Sequence, residues 1–161
     1  MREQFNYFQA SPKAMDTMLQ MEEYITSCHQ TKKSLDYKLI ELVKMRVSQI
    51  NGCAFCLDMH SQDTRANNES EQRLYTLSVW RETPFFTEKE RAALAWAEAI
   101  TLITNNVMNE QLFNDTLKHF DEEQIVDLTL VINAINAWNR FAISFGKKAG
   151  SYKRSTLTDQ K

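Results

Sequence analysis

The sequence predicts an all-α fold: a single-domain bundle of about six to eight helices. Three observations predict it. Apolar residues recur at spacings of three and four along most of the chain, the period of a helix with one buried face. The 161 residues include only three glycines and two prolines, too few for the turns of a hairpin-rich sheet. Helix-start signals, in which Ser, Thr, Asp or Asn precedes Glu or Gln by three positions, punctuate the chain.

The elements follow in order. Ser11-Pro12 offers an N-cap with proline at the first helical position, and Met15, Met18, Leu19 and Ile25 form the stripe of a helix ending near Cys28. Ser34 is expected to cap the next helix, whose apolar face is Leu35, Leu39, Leu42, Val43 and Val47. Asn51-Gly52 interrupts it, because glycine tolerates the left-handed conformation that ends helices. A further helix begins around Cys53 and runs to about Arg65. Asn68 and Glu71 have capping-box spacing before a helix through Leu74, Leu77 and Trp80, and Pro84 marks a break. Thr87 and Glu90 open a helix over Arg91 to Thr104, Asn109 caps a shorter one ending near Phe120, and Asp121 with Gln124 opens the last long helix, through Phe145 to Gly146. Residues 1–150 read as one domain and 151–161 as a polar, frayed tail.

Nineteen basic against twenty-one acidic residues leave a formal charge of -2, and the basic residues are scattered, so no nucleic-acid stripe is present. MREQFNYFQASPK lacks the apolar core of a signal peptide, and no apolar run is long enough to span a membrane. The expectation is a cytoplasmic protein with neither nucleic-acid nor membrane partners. In a reducing compartment a close cysteine pair is more often catalytic or metal-binding than structural.

The chemistry is concentrated between Glu41 and His60. Along a helix each residue advances about 100°, so with Cys53 as origin Cys56 lies about 60° away and His60 about 20° away, on one narrow face. Thiols three apart approach disulfide distance. A helix start favours negative charge, which is expected to lower a thiol pKa. His60 can take a proton from a thiol, and Glu41 reaches His60 if the flanking helices fold back across Asn51-Gly52. A thiolate so formed attacks the O–O bond of a hydroperoxide; the resulting sulfenic acid condenses with the second thiol, and an external dithiol reduces the disulfide. No cofactor or metal is required. A zinc site with His60 as third ligand and Cys28 or His29 as fourth is the competing use of the pair. Position alone favours Cys53 as nucleophile, since it is nearer the helix start and expected to be the more exposed.

Three segments, SQINGCAFCLDMH from Ser48 to His60, ERAALAWAEAIT from Glu90 to Thr101, and INAWNRF from Ile135 to Phe141, resemble the AhpD-like alkylhydroperoxidases of the carboxymuconolactone decarboxylase superfamily. Phe5-Asn6-Tyr7 and Trp80-Arg81-Glu82 also fit. The resemblance is to the peroxidase-related branch with a single CxxC. It implies an all-α homo-oligomer, often a trimer or hexamer, with Cys56 as the peroxide-reacting thiol, Cys53 as its resolving partner, and His60 and Glu41 in a proton relay. Some members carry a histidine immediately before the second cysteine; here that position is Phe55. The family resemblance leaves a general dithiol oxidoreductase or redox sensor, and a lactone decarboxylase, as alternatives.

The last helix is apolar on most faces, as in a central or interface helix. Its polar residues Asn133, Asn136 and Arg140 are expected to serve helix–helix hydrogen bonding, with Asn136 or Arg140 bordering the active pocket as the sharper alternative. Trp80, Trp96 and Trp138 are expected in the core or an interface rather than around a substrate.

Overall fold

A computed structural model describes residues 5–105 and 108–154. Eight α-helices account for most of them: α1 (Tyr7–Ala10), α2 (Pro12–Gln30), α3 (Tyr37–Asn51), α4 (Ala54–Ala66), α5 (Glu71–Thr76), α6 (Glu88–Thr101), α7 (Glu110–Leu117) and α8 (Glu122–Ser144). Short 3-10 turns cover Leu77–Glu82 and Ile103–Asn105, and no strand occurs among the described residues. The first four residues and residues 155–161 of the expected tail lie outside the description.

The caps explain the element starts. Asn6 accepts from Phe8 N–H at 3.0 Å and opens α1, an element too short to show periodicity in the sequence. Thr87 with Glu90 and Asp121 with Gln124 form the two expected capping boxes, and Asn109 caps α7. Two expected caps are corrected. Asp36, not Ser34, caps α3, accepting from Lys38 N–H at 2.8 Å; the Ser34 hydroxyl instead donates to Asp127 at 2.6 Å. Ser70, not Asn68, precedes α5, and Asn68 sits at φ 61° in the turn before it. The helix expected through Leu74, Leu77 and Trp80 ends as α5 at Thr76 and passes into a 3-10 segment, within which Val79, at φ -121°, is not helical. Likewise α6 stops at Thr101 rather than Thr104.

Two helices share the centre. The last, α8, is central as expected, packing against α2, α3, α4, α6 and α7 and burying ten residues, and α3 packs against α4, α6 and α8 and buries nine. The principal core joins Ile25 and Cys28 of α2, Val43 and Val47 of α3, Ala93 and Trp96 of α6, and Leu128 to Ile135 of α8. A second cluster packs Leu42 and Met45 under Leu74, Leu77, Trp80, Phe86 and Leu94. A third seats Tyr7, Met15 and Met18 against Trp138, Phe141 and Phe145. Asp127 locks α8 to the α2–α3 turn, accepting from Tyr24 Oη at 2.8 Å, Ser34 Oγ at 2.6 Å and Lys32 Nζ at 3.1 Å. The segment 151–154, expected to fray, is tied down: Tyr152 Oη donates to Asp63 at 3.0 Å, and Arg154 lies 3.6 Å from the same carboxylate.

Candidate active site

Gly52 makes the site possible. At φ 68° it ends α3, and Cys53 N–H then donates to Ser48 C=O at 3.0 Å, turning the chain straight into α4. The left-handed conformation is the reason for glycine here, since a Cβ would meet nothing within 4 Å. The reversal lays α4 along α3, bringing His60 beside Glu41. His60 Nδ1 and Glu41 Oε2 are 2.8 Å apart, both buried.

Cys53 is the N-cap of α4, and its sulfur takes the place of a capping hydroxyl, accepting from Cys56 N–H at 3.4 Å. The two sulfurs are 2.7 Å apart, and both side chains are free thiols. The expectation that Cys53 is the more exposed does not hold: Cys53 is 1% and Cys56 2% accessible. They differ in what they face. A cavity of about 310 Å³ is lined by Cys56 and His60 but not by Cys53. Its wall is largely apolar and aromatic, with Tyr7, Phe55, Met59 and Trp138, and its charged members are Glu22, Lys44 and Lys147. Trp138 packs against the core as expected and also borders the cavity; its indole N–H donates to Glu22 at 3.0 Å, and Lys44 pairs with the same carboxylate at 2.8 Å.

Electrostatics corrects a second expectation. Burial pushes the Cys56 thiol up to about 12, and the adjoining Cys53 adds to the rise, while the Asn139 carboxamide and the Lys147 ammonium pull the other way. Desolvation thus outweighs the acidifying effect expected of a helix start at Cys56, where the nearest free amide is spent on Cys53 sulfur. Burial also pushes the Glu41 carboxyl up, but the charge and hydrogen bond of His60, with Lys44 and His29, hold it below the usual carboxylate range. Glu41 is therefore ionised and accepts from Nδ1 of His60, which orients the ring and turns Nε2 away from the carboxylate. Nε2 is buried with no hydrogen-bond partner among the described residues.

Asn136 and Arg140 do not line this cavity. Asn136 donates to Thr101 Oγ1 at 3.1 Å and accepts from Asn51 at 2.9 Å, the helix–helix role expected, and Arg140 folds back onto it at 2.9 Å. The residue missed is Asn139, fully buried, which accepts from Asn51 at 2.9 Å, donates to Ser48 Oγ at 3.0 Å and acts on the Cys56 sulfur. It stands three positions beyond Asn136 in the stripe, and that spacing was the available signal. Cys28 and His29 lie apart from the pair: the Cys28 thiol donates to Tyr24 C=O at 3.4 Å, and the His29 ring meets Tyr37 edge-on. Among the described residues no three His, Cys, Asp or Glu side chains are grouped as a metal ion would require. No helix there is long and apolar enough to cross a membrane.

The profile of the carboxymuconolactone decarboxylase family matches residues 12–99. The uncharacterized protein YdfG of Bacillus subtilis (strain 168) is 44% identical over 151 residues, which cover 94% of this chain and 99% of that one. The crystal structure of an Agrobacterium tumefaciens protein of unknown function, a candidate AhpD antioxidant defence protein, is 40% identical with a TM-score of 0.86, covering 94% of this chain and all of that one. An uncharacterized peroxidase-related protein from Silicibacter sp. TM1040 matches with a TM-score of 0.73 over 84% of this chain and 70% of its own, and at 22% identity shows the fold alone. With its profile match over more than half the residues, and a relative of such identity along nearly its whole length, the chain belongs to the carboxymuconolactone decarboxylase family, as an AhpD-like member.

Proposed function

We propose that the chain is an antioxidant thiol peroxidase that reduces hydrogen peroxide or organic hydroperoxides. The observation that carries the reading is the placement of three side chains: two sulfurs 2.7 Å apart, only Cys56 of the pair lining the cavity, and His60, whose Nε2 has no partner among the described residues, lining the same cavity. Cys56 is the nucleophile, in agreement with the family precedent and against the position argument. His60, oriented by Glu41, takes the Cys56 proton when a peroxide is bound. The thiolate attacks the terminal peroxide oxygen and becomes a sulfenic acid. Cys53, buried and touching Cys56, condenses with it, releasing water and leaving a disulfide. An external dithiol, protein or small molecule, then reduces the pair by exchange. The relative from Agrobacterium, a candidate for antioxidant defence, supports the same reading. A homo-oligomer, trimer or hexamer, and a cytoplasmic location belong to this proposal.

A second reading is favoured by one observation. A thiol pushed up to about 12 is protonated at rest, which suits a dithiol oxidoreductase or redox sensor that reacts slowly. Both readings need the cysteine pair, whereas lactone decarboxylation does not. The test is single-turnover oxidation of the reduced chain, followed by thiol count, and then catalytic turnover with a dithiol donor. The peroxidase reading expects two thiols consumed per chain, Cys28 left free, and loss of peroxide turnover by at least about 100-fold in Cys56→Ser. Unchanged turnover in Cys56→Ser removes Cys56 from the mechanism; oxidation without sustained turnover supports the sensor.

A further inference from the structure

Two residues that line the cavity beside Cys56 carry a polar atom without a hydrogen-bond partner among the described residues. One, His60 Nε2, is the base of the proposed reaction. The other is the hydroxyl of Tyr7. The side chain is 9% exposed, it lines the cavity, and its hydroxyl makes no hydrogen bond among the described residues. A tyrosine with its ring this far buried ordinarily spends its hydroxyl on a protein partner; this hydroxyl is instead not sealed from solvent, since it is not among the buried atoms that lack a partner. This one is held firmly all the same. Asn6 caps the turn that carries it, its ring lies 5.6 Å from that of Phe141 and 5.4 Å from that of Phe145, and the Lys147 ammonium sits 5.8 Å from its centre. Burial first, and then the charges that Cys56 and Cys53 bear when ionised, push the phenol above its usual range, so it keeps its proton while the thiolate forms.

The geometry points to Tyr7 as the acid of the reaction, its hydroxyl donating to the leaving oxygen of a hydroperoxide bound against the Cys56 sulfur. This rests on the peroxidase reading. In the step, the S–O bond forms as the O–O bond breaks; sulfur gives up two electrons and the peroxide accepts them. The departing alkoxide takes the phenolic proton and leaves as alcohol. The proton that Cys56 passed to His60 restores the phenol. Thiol and hydroperoxide thus become sulfenic acid and alcohol, with no further reactant. An alkoxide is a strongly basic leaving group, so a donor at that oxygen matters most for alkyl hydroperoxides and least for peracids, whose carboxylate leaves without a proton.

That contrast is the test. Tyr7→Phe removes one oxygen that none of the described residues bonds and keeps the ring packing. Reduced wild-type and variant chains are mixed with tert-butyl hydroperoxide or with peracetic acid in single turnover, and thiol loss is followed. The expected result is a fall of about 100-fold for the alkyl hydroperoxide, with the peracid rate within about threefold of wild type. The peracid arm also reports that the variant's thiol site is intact. Equal falls with both oxidants mean that Tyr7 only supports the structure and overturn the assignment, and so does no fall with either. On the unaltered chain, a solvent deuterium isotope effect larger with the alkyl hydroperoxide than with the peracid is expected; equal effects count against Tyr7. A wild-type chain inert to both oxidants overturns the peroxidase reading itself, an outcome distinct from an active chain in which Tyr7→Phe changes nothing.

Discussion

The raised Cys56 thiol yields a prediction with a worked magnitude. In an unfolded chain the thiol titrates near its ordinary value of 9.0; in the fold burial and Cys53 push it up to about 12. At pH 8 the thiolate fraction is therefore about a thousandfold smaller in the folded reduced protein than in the unfolded chain, and alkylation of Cys56 by iodoacetamide slows in proportion. Linkage fixes the sign for stability. A folded pKa above the unfolded one favours the fold while the thiol is protonated, and this contribution is complete below about pH 9 and lost as pH rises towards about 12. The assay is pulsed alkylation from pH 7 to 11 with peptide mass spectrometry to resolve Cys28, Cys53 and Cys56, run beside the same chain in urea. The expected Cys56 rate climbs tenfold per pH unit across the range, and Cys56→Ser removes the alkaline loss of stability. A rate that is already flat between pH 7 and 9 refutes the reasoning, because it means that His60 holds the Cys56 proton at rest and not only when substrate is bound.

Two further predictions concern the frame around the site. Asp127→Ala leaves Tyr24, Lys32 and Ser34 without their shared acceptor and costs about 2–3 kcal/mol in urea unfolding, with the single-turnover rate unchanged. Burial pushes Asp127 up, but Ser34, Tyr24 and Lys32 hold it below the usual range, so its contribution is present above about pH 4 and disappears as pH falls through the folded value; acid unfolding of the wild type should lose that component in the variant. Gly52→Ala places a Cβ in the left-handed region and costs about 1–2 kcal/mol in the same measurement, together with slower peroxide oxidation as the α3–α4 reversal loosens; equal stability would mean that the turn relaxes freely.

The helix inventory was legible because its signals are local. Thr87 and Glu90, or Asp121 and Gln124, satisfy each other's neighbours within one turn, so their spacing is the structure. The choice between Ser34 and Asp36 was not legible, because it depends on Asp127, more than ninety residues away, which recruits Ser34. The face shared by Cys53, Cys56 and His60 follows from helical geometry, and Glu41 joins it through the Gly52 reversal. The burial of Cys56 does not follow. What covers it, Tyr7 and Trp138 among others, comes from segments some fifty residues before and eighty after, and only their packing determines that desolvation overrides the helix start.

One stripe in α3 explains why the site is built where it is. Glu41, Lys44, Ser48 and Asn51 recur at spacings of three, four and three, and so share a face inside the bundle. Each is committed to a different neighbour: Glu41 to His60, Lys44 to Glu22, Ser48 to Asn139, and Asn51 to both Asn136 and Asn139. A buried polar row of this kind gains little stability over apolar residues of the same size, because each partner must first be desolvated. Its effect is positional. Lys44 and Glu22 hold the Trp138 indole against the cavity, Ser48 and Asn51 fix the Asn139 carboxamide that acts on Cys56, and Glu41 turns the free nitrogen of His60 away from itself. A single helix thereby sets the orientation of the His60 ring, the surroundings of the Cys56 thiol and one wall of the pocket. Replacing any one member disturbs several contacts at once, so double-mutant cycles between Ser48 and Asn139 should show coupling in the thiol's reactivity as well as in stability.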